Sequence, residues 1–269
     1  MADDLQNRAP SPFDGTRPVA TLTQSGGVVT LVEGQTFSLS GRTGDMDPAF
    51  PHGLFVHDTR VLSRWELHVG GHHLEPLTVD VPDPFDATFV GRAHPPEGQA
   101  DADVVAFRYR SIGWGMRERI ALTNHGLRTA EISVELACDA DFADLFAVKE
   151  SRAHGRGHLP SEAADDGVRF IADDRRAVNA TELRWSTPPE TSDLRAGARL
   201  RWTPRLAPRE TWELCLDVGV TLAGQLLEPR FSCRGGADSV PVPVQRLASW
   251  RRGMPEVHTD ASALVHAVV

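Results

Sequence analysis

Residues 103–124 read DVVAFRYRSIGWGMRERIALTN. The residues alternate. Val105, Phe107 and Tyr109 fall on one side of the first run, and Met116, Glu118, Ile120 and Leu122 on one side of the second. A period of two is that of a β-strand, in which neighbours point to opposite faces. The apolar set of each run is therefore expected to face a core, with the other set in water. Gly113-Trp114-Gly115 separates the runs and reads as a bend or bulge, because no helix follows it to make a phosphate loop.

The same pattern spreads outward. In AEISVELAC, Ile132, Val134, Leu136 and Cys138 share a face. In TWELCLDVGVTL the shared set runs from Trp212 through Leu214, Leu216, Val218 and Val220 to Leu222. Earlier, Arg60–Val69 reads as one strand that buries Trp65, Leu67 and Val69. Short β-branched runs divided by glycine fill residues 17–40. One buried and one wet face per strand is the antiparallel signature. A dozen or more such strands with short turns need two packed sheets. The expected fold class is all-β: a two-sheet antiparallel β-sandwich, supersandwich-like, with a short C-terminal helix. Its expected extent is residues 17–245, after a disordered leader at 1–16 rich in Pro, Asp and Ser. Residues 246–269 read as a linker and the start of a helix, N-capped by Thr259 or Asp260 and ending with the chain.

Composition narrows the function classes. The 269 residues are 41% hydrophobic and 24% charged, ordinary values for a globular domain. A net charge of −9 argues against a nucleic-acid surface. No run approaches the roughly 20 apolar residues of a membrane span, and the acidic N-terminus lacks the features of a secretory signal. The three cysteines, Cys138, Cys215 and Cys233, form no CxxC pair. They read as reduced thiols in a cytoplasm rather than as a disulfide framework.

Several constellations are candidates for chemistry. In CDADFADLFAVKE, Asp139, Asp141 and Asp144 lie among Phe142, Leu145 and Phe146. Paired carboxylates could serve a glycosidic bond; aspartates that cap turns are the plainer reading. His154 and His158 have a metal-ligand spacing, but the glycines between them disfavour the helix it needs. His72-His73 is weaker, since strand neighbours point apart. No residue pattern implies a cofactor or a bound metal. Trp114 and Trp250 fall at element edges and are candidates for stacking on a sugar ring. In His57-Asp58-Thr59-Arg60, Asp58 and Arg60 are two apart and would share a strand face. They are expected to form a half-buried ion pair that clamps the strand, so Asp58→Ala should destabilise strongly.

Two motifs carry a resemblance. GLFVHDTRVLS (Gly53–Ser63) resembles the Gly-Leu-Phe-x-x-Asp-Thr-Arg-x-Leu-Ser segment in the N-terminal domain of bacterial glycogen debranching enzymes of the amylo-α-1,6-glucosidase type. DFADLFAVKE (Asp141–Glu150) resembles the same family's Asp-Phe-Ala-Asp-Leu-Phe-Glu-Val-Arg-Gly, with ERIALTNH between them in the expected order. The likeness covers about residues 25–250. It implies a β-sandwich that precedes a helical (α/α)₆ glycosidase barrel, and a barrel that holds the catalytic carboxylates. Catalytic residues are then none in this chain. The expected partners are that helical domain, in cis or trans, and α-glucan, contacted through Asp141, Asp144, Phe146 and Lys149. Ala147 and Lys149-Glu150 depart from the family's Glu and Arg-Gly, and a lysine lacks arginine's bidentate fork. A free-standing carbohydrate-binding module and a mutarotase-like sugar enzyme are the alternatives. Open sheet edges also leave room for a homodimer.

Overall fold

The computed structural model describes residues 27–95, 102–152, 158–174, 177–234 and 240–254. In chain order the strands begin with β1 (Val29–Glu33), β2 (Thr36–Ser40), β3 (Gly53–Val56), β4 (Thr59–Leu62), β5 (Arg64–Val69), β6 (His72–His73), β7 (Glu75–Asp83) and β8 (Asp86–Arg92). Next come β9 (Val104–Ile112), β10 (Met116–Asn124), β11 (Ala130–Glu131), β12 (Val134–Asp139) and β13 (Ala143–Asp144), then the short helix α1 (Leu145–Lys149). The chain continues with β14 (Ser161–Ala164), β15 (Gly167–Asp174), β16 (Ala177–Trp185), β17 (Thr191–Asp193), β18 (Ala198–Trp202), β19 (Arg205–Leu206), β20 (Thr211–Leu222) and β21 (Gln225–Leu227). Helix α2 (Val242–Gly253) follows.

The fold is all-β and antiparallel. A nine-stranded sheet runs β14-β15-β16-β20-β10-β9-β8-β7, with β21 added to β20. Two five-stranded sheets, β1-β2-β3-β4-β13 and β17-β18-β12-β5-β6, and a β11-β19 ribbon complete the sandwich. The chain passes from one five-stranded sheet to the other at Ser63, between β4 and β5, and Met46 in the β2–β3 connection bridges Trp65 of β5; both sheets reach the large one. The Trp65 indole N–H donates to Glu118, 3.1 Å away, and the Thr181 hydroxyl donates to the Val61 carbonyl. One apolar cluster takes residues from all three, including Leu31, Leu67, Leu136, Ile120 and Leu216. The buried faces of β5, β10, β12 and β20 are the ones their alternation marks.

Strand β9 is the reverse of its expectation. Val104, Ala106, Arg108 and Arg110 are buried, while Val105, Phe107 and Tyr109 point outward and are half-buried. Register explains this. Residues directly opposite in an antiparallel pair share a face. Ile120 lies opposite Arg108, and Glu118 opposite Arg110. Once β10 turns Met116, Glu118, Ile120 and Leu122 inward, the arginines must follow, and Glu118 supplies the counter-charge.

Other expectations also change. Arg60–Val69 is two strands in different sheets, broken at Ser63, whose N–H donates to the Asp139 carbonyl. Cys215 and Cys233 form a disulfide, so only Cys138 is a free thiol; burial pushes its pKa up. Cys215 sits on the outer face of β20, opposite the apolar set, which lets it reach Cys233. Part of the stretch read as linker from residue 246 is helical, since α2 spans Val242–Gly253. The leader at 1–16 and the helix N-capped at Thr259 or Asp260 lie outside the described residues. No described helix is long and apolar enough to cross a membrane.

Candidate functional site

The Gly53–Ser63 motif folds as the β3–β4 hairpin, with Val56 opposite Thr59. His57 (φ 46°) and Asp58 (φ 61°) both take the left-handed conformation at its tip, as a two-residue hairpin turn requires. The tip therefore turns Asp58 away from Arg60, and the expected Asp58–Arg60 ion pair does not form. Instead the Asp58 carbonyl accepts from the Leu145 N–H at 2.8 Å. The Thr59 hydroxyl lies 3.5 Å from the His57 carbonyl.

Arg60 turns inward and finds a partner 81 residues away. Its Nε donates to Asp141 Oδ1 at 3.1 Å and its Nη2 to Oδ2, while Nη1 donates to the His52 carbonyl at 3.2 Å. This is a bidentate fork, the geometry in which arginine outdoes lysine. Gly53 makes room for it: a Cβ there would stand 2.6 Å from Arg60 Cδ, and its φ of +149° suits glycine. Asp141 Oδ1 also accepts from the Ala143 N–H, and Asp144 N-caps α1 by accepting from the Phe146 N–H at 2.9 Å. Ala147 and Val148 are buried, with Val148 packed beside Phe55 and Ala143. The result is a short helix pinned on one side, with Phe146, 62% exposed, and Lys149 on the other. Phe50, whose ring lies tilted against that of His52 with centroids 5.3 Å apart, is also exposed.

A second charged cluster lies inside the sandwich. Glu118 accepts from Arg108 Nε (2.8 Å), Arg110 Nε (2.6 Å) and Trp65 Nε1. Burial pushes the Glu118 carboxyl up in pKa, but the two guanidiniums and the indole N–H outweigh it and leave the pKa lowered. Arg108 also donates to Asp45, which accepts from the Leu67 N–H and meets His73. Burial raises the Asp45 pKa as well; Arg108 and these hydrogen bonds bring it well below the usual carboxylate range. His73 is raised by its bond to Asp45. None of Arg108, Arg110 and Glu118 is open to a ligand.

The pattern of a known family, described as the N-terminal domain of some glycogen debranching enzymes, matches residues 31–217, well over half of the chain. The chain belongs to this family. No curated protein matches it. Solved structures resemble this debranching-enzyme N-terminal domain more remotely. A kojibiose phosphorylase from the human microbiome shares 9% identity at a TM-score of 0.44, over 63% of this chain and 23% of that one. An aldose 1-epimerase from Escherichia coli K12 shares 10% at 0.45, over 72% and 98%. A polysaccharide lyase shares 15% at 0.35, over 72% and 32%. The chain thus spans about a quarter of the phosphorylase's length.

The remaining candidate residues of this N-terminal domain are scattered. Trp114 (φ 51°) sits in the β9–β10 bend, and the Arg230 guanidinium covers its ring at 4.1 Å. Trp250 is exposed on α2. Each aspartate of the 139–144 cluster has a structural partner: Asp139 meets His158 and the Ala140 N–H, Asp141 meets Arg60, and Asp144 caps α1. His154 lies outside the described residues, and no described group of His, Cys, Asp or Glu could hold a metal ion. The sequence reading missed Asp45 and His52, which lie in loops with no periodic pattern. It also missed that Arg60 and Asp141, one from each family motif, belong to one contact.

Proposed function

We propose that this chain is a non-catalytic β-sandwich domain that docks a helical (α/α)₆ glycosidase domain, in cis or trans, and helps to shape an α-glucan site. The observation that supports the reading is the α1 loop. Arg60, the Asp58 carbonyl and the Asp144 cap fix its backbone, yet Phe146 is left exposed at its surface. A large apolar side chain on a rigid mount is the kind of group that fills a pocket on a partner. Asp141 is engaged by Arg60 and Asp144 by the helix it caps, so neither is poised as an acid or nucleophile. A cytoplasmic location is part of the proposal. The Cys215–Cys233 disulfide weighs against it, since such bonds persist in oxidising compartments.

The test is an assay on glycogen limit dextrin, with the chain alone and with a debranching-enzyme helical domain that lacks its own N-terminal domain. No glucose is expected from the chain alone. Release by the helical domain should rise when the chain is added, and the rise should vanish with Phe146→Ser. Glucose release by the chain alone that depends on Asp141 or Asp144 would sink the proposal.

A further inference from the structure

The inverted strand β9 leaves an unusual outer face on the nine-stranded sheet. Exposed aromatic surface on a sheet is costly unless something covers it, and buried arginines on the opposite face are costlier still. Cross-strand register arranges the outer residues in two adjacent rows. One row is Thr88, Tyr109, Arg119 and Cys215; the other is Asp86, Ser111, Arg117 and Asp217. The Cys215–Cys233 disulfide ties the segment after β21 across this face, and Asp217 accepts from the Ser232 hydroxyl and the Cys233 N–H. A groove of about 530 Å³ lies over the two rows, with Ser232 and Cys233 as one wall. That volume falls within the range of small-molecule sites, roughly 300–1,000 Å³.

The chemistry of the groove is balanced. Tyr109 provides an aromatic surface on which the Arg119 guanidinium is stacked at 4.3 Å, and Glu213 pairs with that arginine at 3.0 Å. Arg117 donates to Ser111 at 3.1 Å and lies over Phe231. Asp86 is half-buried beside Ser111, and burial raises its pKa. Arg117 and Arg119 line the groove as donors, with Asp86, Ser111 and Thr88 as acceptors. Arg110 spends its charge inside on Glu118, and Asp217 opposite Arg117 and Glu213 on Arg119 stand beside the groove and offset the two guanidiniums. An anion would need surplus cations. A neutral polyol needs this mixture, because each hydroxyl both donates and accepts, and its C–H face packs on an aromatic ring.

We propose that the groove between the Tyr109 and Arg117 rows and the disulfide-tethered Ser232–Cys233 wall binds an α-glucan segment, with the face of the Tyr109 ring that Arg119 does not cover as the stacking surface and Asp86, Arg117 and Arg119 as hydroxyl partners. The choice of α-glucan rests on the functional reading above; the choice of a neutral sugar rests on the groove itself.

Titration of the full chain with maltoheptaose by calorimetry, backed by saturation-transfer NMR, tests the site. Binding is expected, weakened about tenfold by Tyr109→Ala and by Arg117→Ala, the scale of one lost stack or charged hydrogen bond. Thr88→Trp, which fills the floor from an outward-facing position, should abolish binding while leaving the melting curve intact. Trp114→Ala and Trp250→Ala should leave the affinity within about twofold, well under 1 kcal/mol. Absence of binding at millimolar maltoheptaose overturns the proposal. Binding that survives in folded Thr88→Trp and Tyr109→Ala overturns the groove, yet leaves glucan contact elsewhere on the domain standing. Docking is read separately, by the Phe146→Ser assay.

Discussion

Arg108 and Arg110 meet Glu118 in the middle of the sandwich, with no side-chain exposure on any of the three. Arg60 meets Asp141 at the edge, where the arginine is buried and the carboxylate keeps 11% exposure. Both are arginine–carboxylate contacts made in rigid geometry, but their surroundings differ. The inner cluster joins β9, β10, the Asp45 loop and Trp65, so it ties sheet to sheet. The outer contact joins the β3–β4 hairpin to the loop that carries Phe146, so it ties scaffold to a presented surface. Water can replace part of what is lost at the edge and none of what is lost in the core. The inner cluster should therefore behave as an all-or-none element of the fold, and the outer one as a local clamp.

The largest expected effect tests the inner half of that contrast. Glu118→Ala leaves two buried guanidiniums without their shared carboxylate. Breaking a buried pair costs about 3–5 kcal/mol, a large share of the roughly 5–15 kcal/mol that holds a typical domain together. Urea melts of purified protein should show a midpoint collapse or no folded baseline at all. Replacing Arg108, Arg110 and Glu118 together with apolar residues of similar volume, with Asp45→Asn so that no carboxylate is left facing the missing Arg108, should recover most of the loss, because the desolvation cost of the charges goes with them. A parent-like melt for Glu118→Ala would show that the arginines find water or other partners, and the distinction between the clusters would fail.

A smaller effect is expected at the edge. Asp141→Ala removes a charged, bidentate acceptor from Arg60, while the His52 carbonyl remains. Hydrogen bonds to charged groups contribute roughly 1.5–3 kcal/mol. The melting curve should shift by that order and stay cooperative. Amide exchange should locate the damage: the Ala143, Leu145 and Phe146 amides should lose protection, while those of β10 and β12 keep theirs. Uniform loss of protection across the large sheet would mean that the clamp is part of the global fold.

The two clusters also mark where the sequence could be read and where it could not. Alternation located β5, β10, β12 and β20 and picked their buried faces, because each has one apolar and one polar set. In β9 both sets are plausible. Phe107 and Tyr109 outweigh Ala106 on any apolar scale, and only the pairing with Glu118 turns Arg108 and Arg110 inward. A register is a relation between two strands, so neither strand's own pattern contains it. The same holds for the site. Arg60 and Asp141 each stood out in a motif, but the contact between them spans 81 residues. The local reading paired Arg60 with Asp58 because i and i+2 share a face in an unbroken strand. The left-handed turn at His57-Asp58 breaks that premise. The disulfide was hidden for a related reason: alternation turns Cys215 outward, but Cys233 lies after β21 outside any periodic run, and only the fold brings the two together.

Asp58 gives the smallest effect and the finest cut between a clamp and a turn. Its carboxylate has no hydrogen-bond or ion-pair partner among the described residues, and its carbonyl, which any residue supplies, holds the Leu145 N–H. What the position demands is a φ of 61°. Asparagine, aspartate and glycine tolerate that region, whereas a Cβ without a local hydrogen-bonding group pays about 1–2 kcal/mol. Asp58→Gly should then melt within about 0.5 kcal/mol of the parent, as surface changes away from special features do, and Asp58→Ala about 1 kcal/mol below it. The order of the two variants carries the argument more than either value. If glycine falls as far as alanine, the lost carboxylate matters and a pairing with Arg60 must exist in solution. If glycine matches the parent while alanine falls, Asp58 is there for its backbone, and the charge that Arg60 needs is the one Asp141 brings from the other motif.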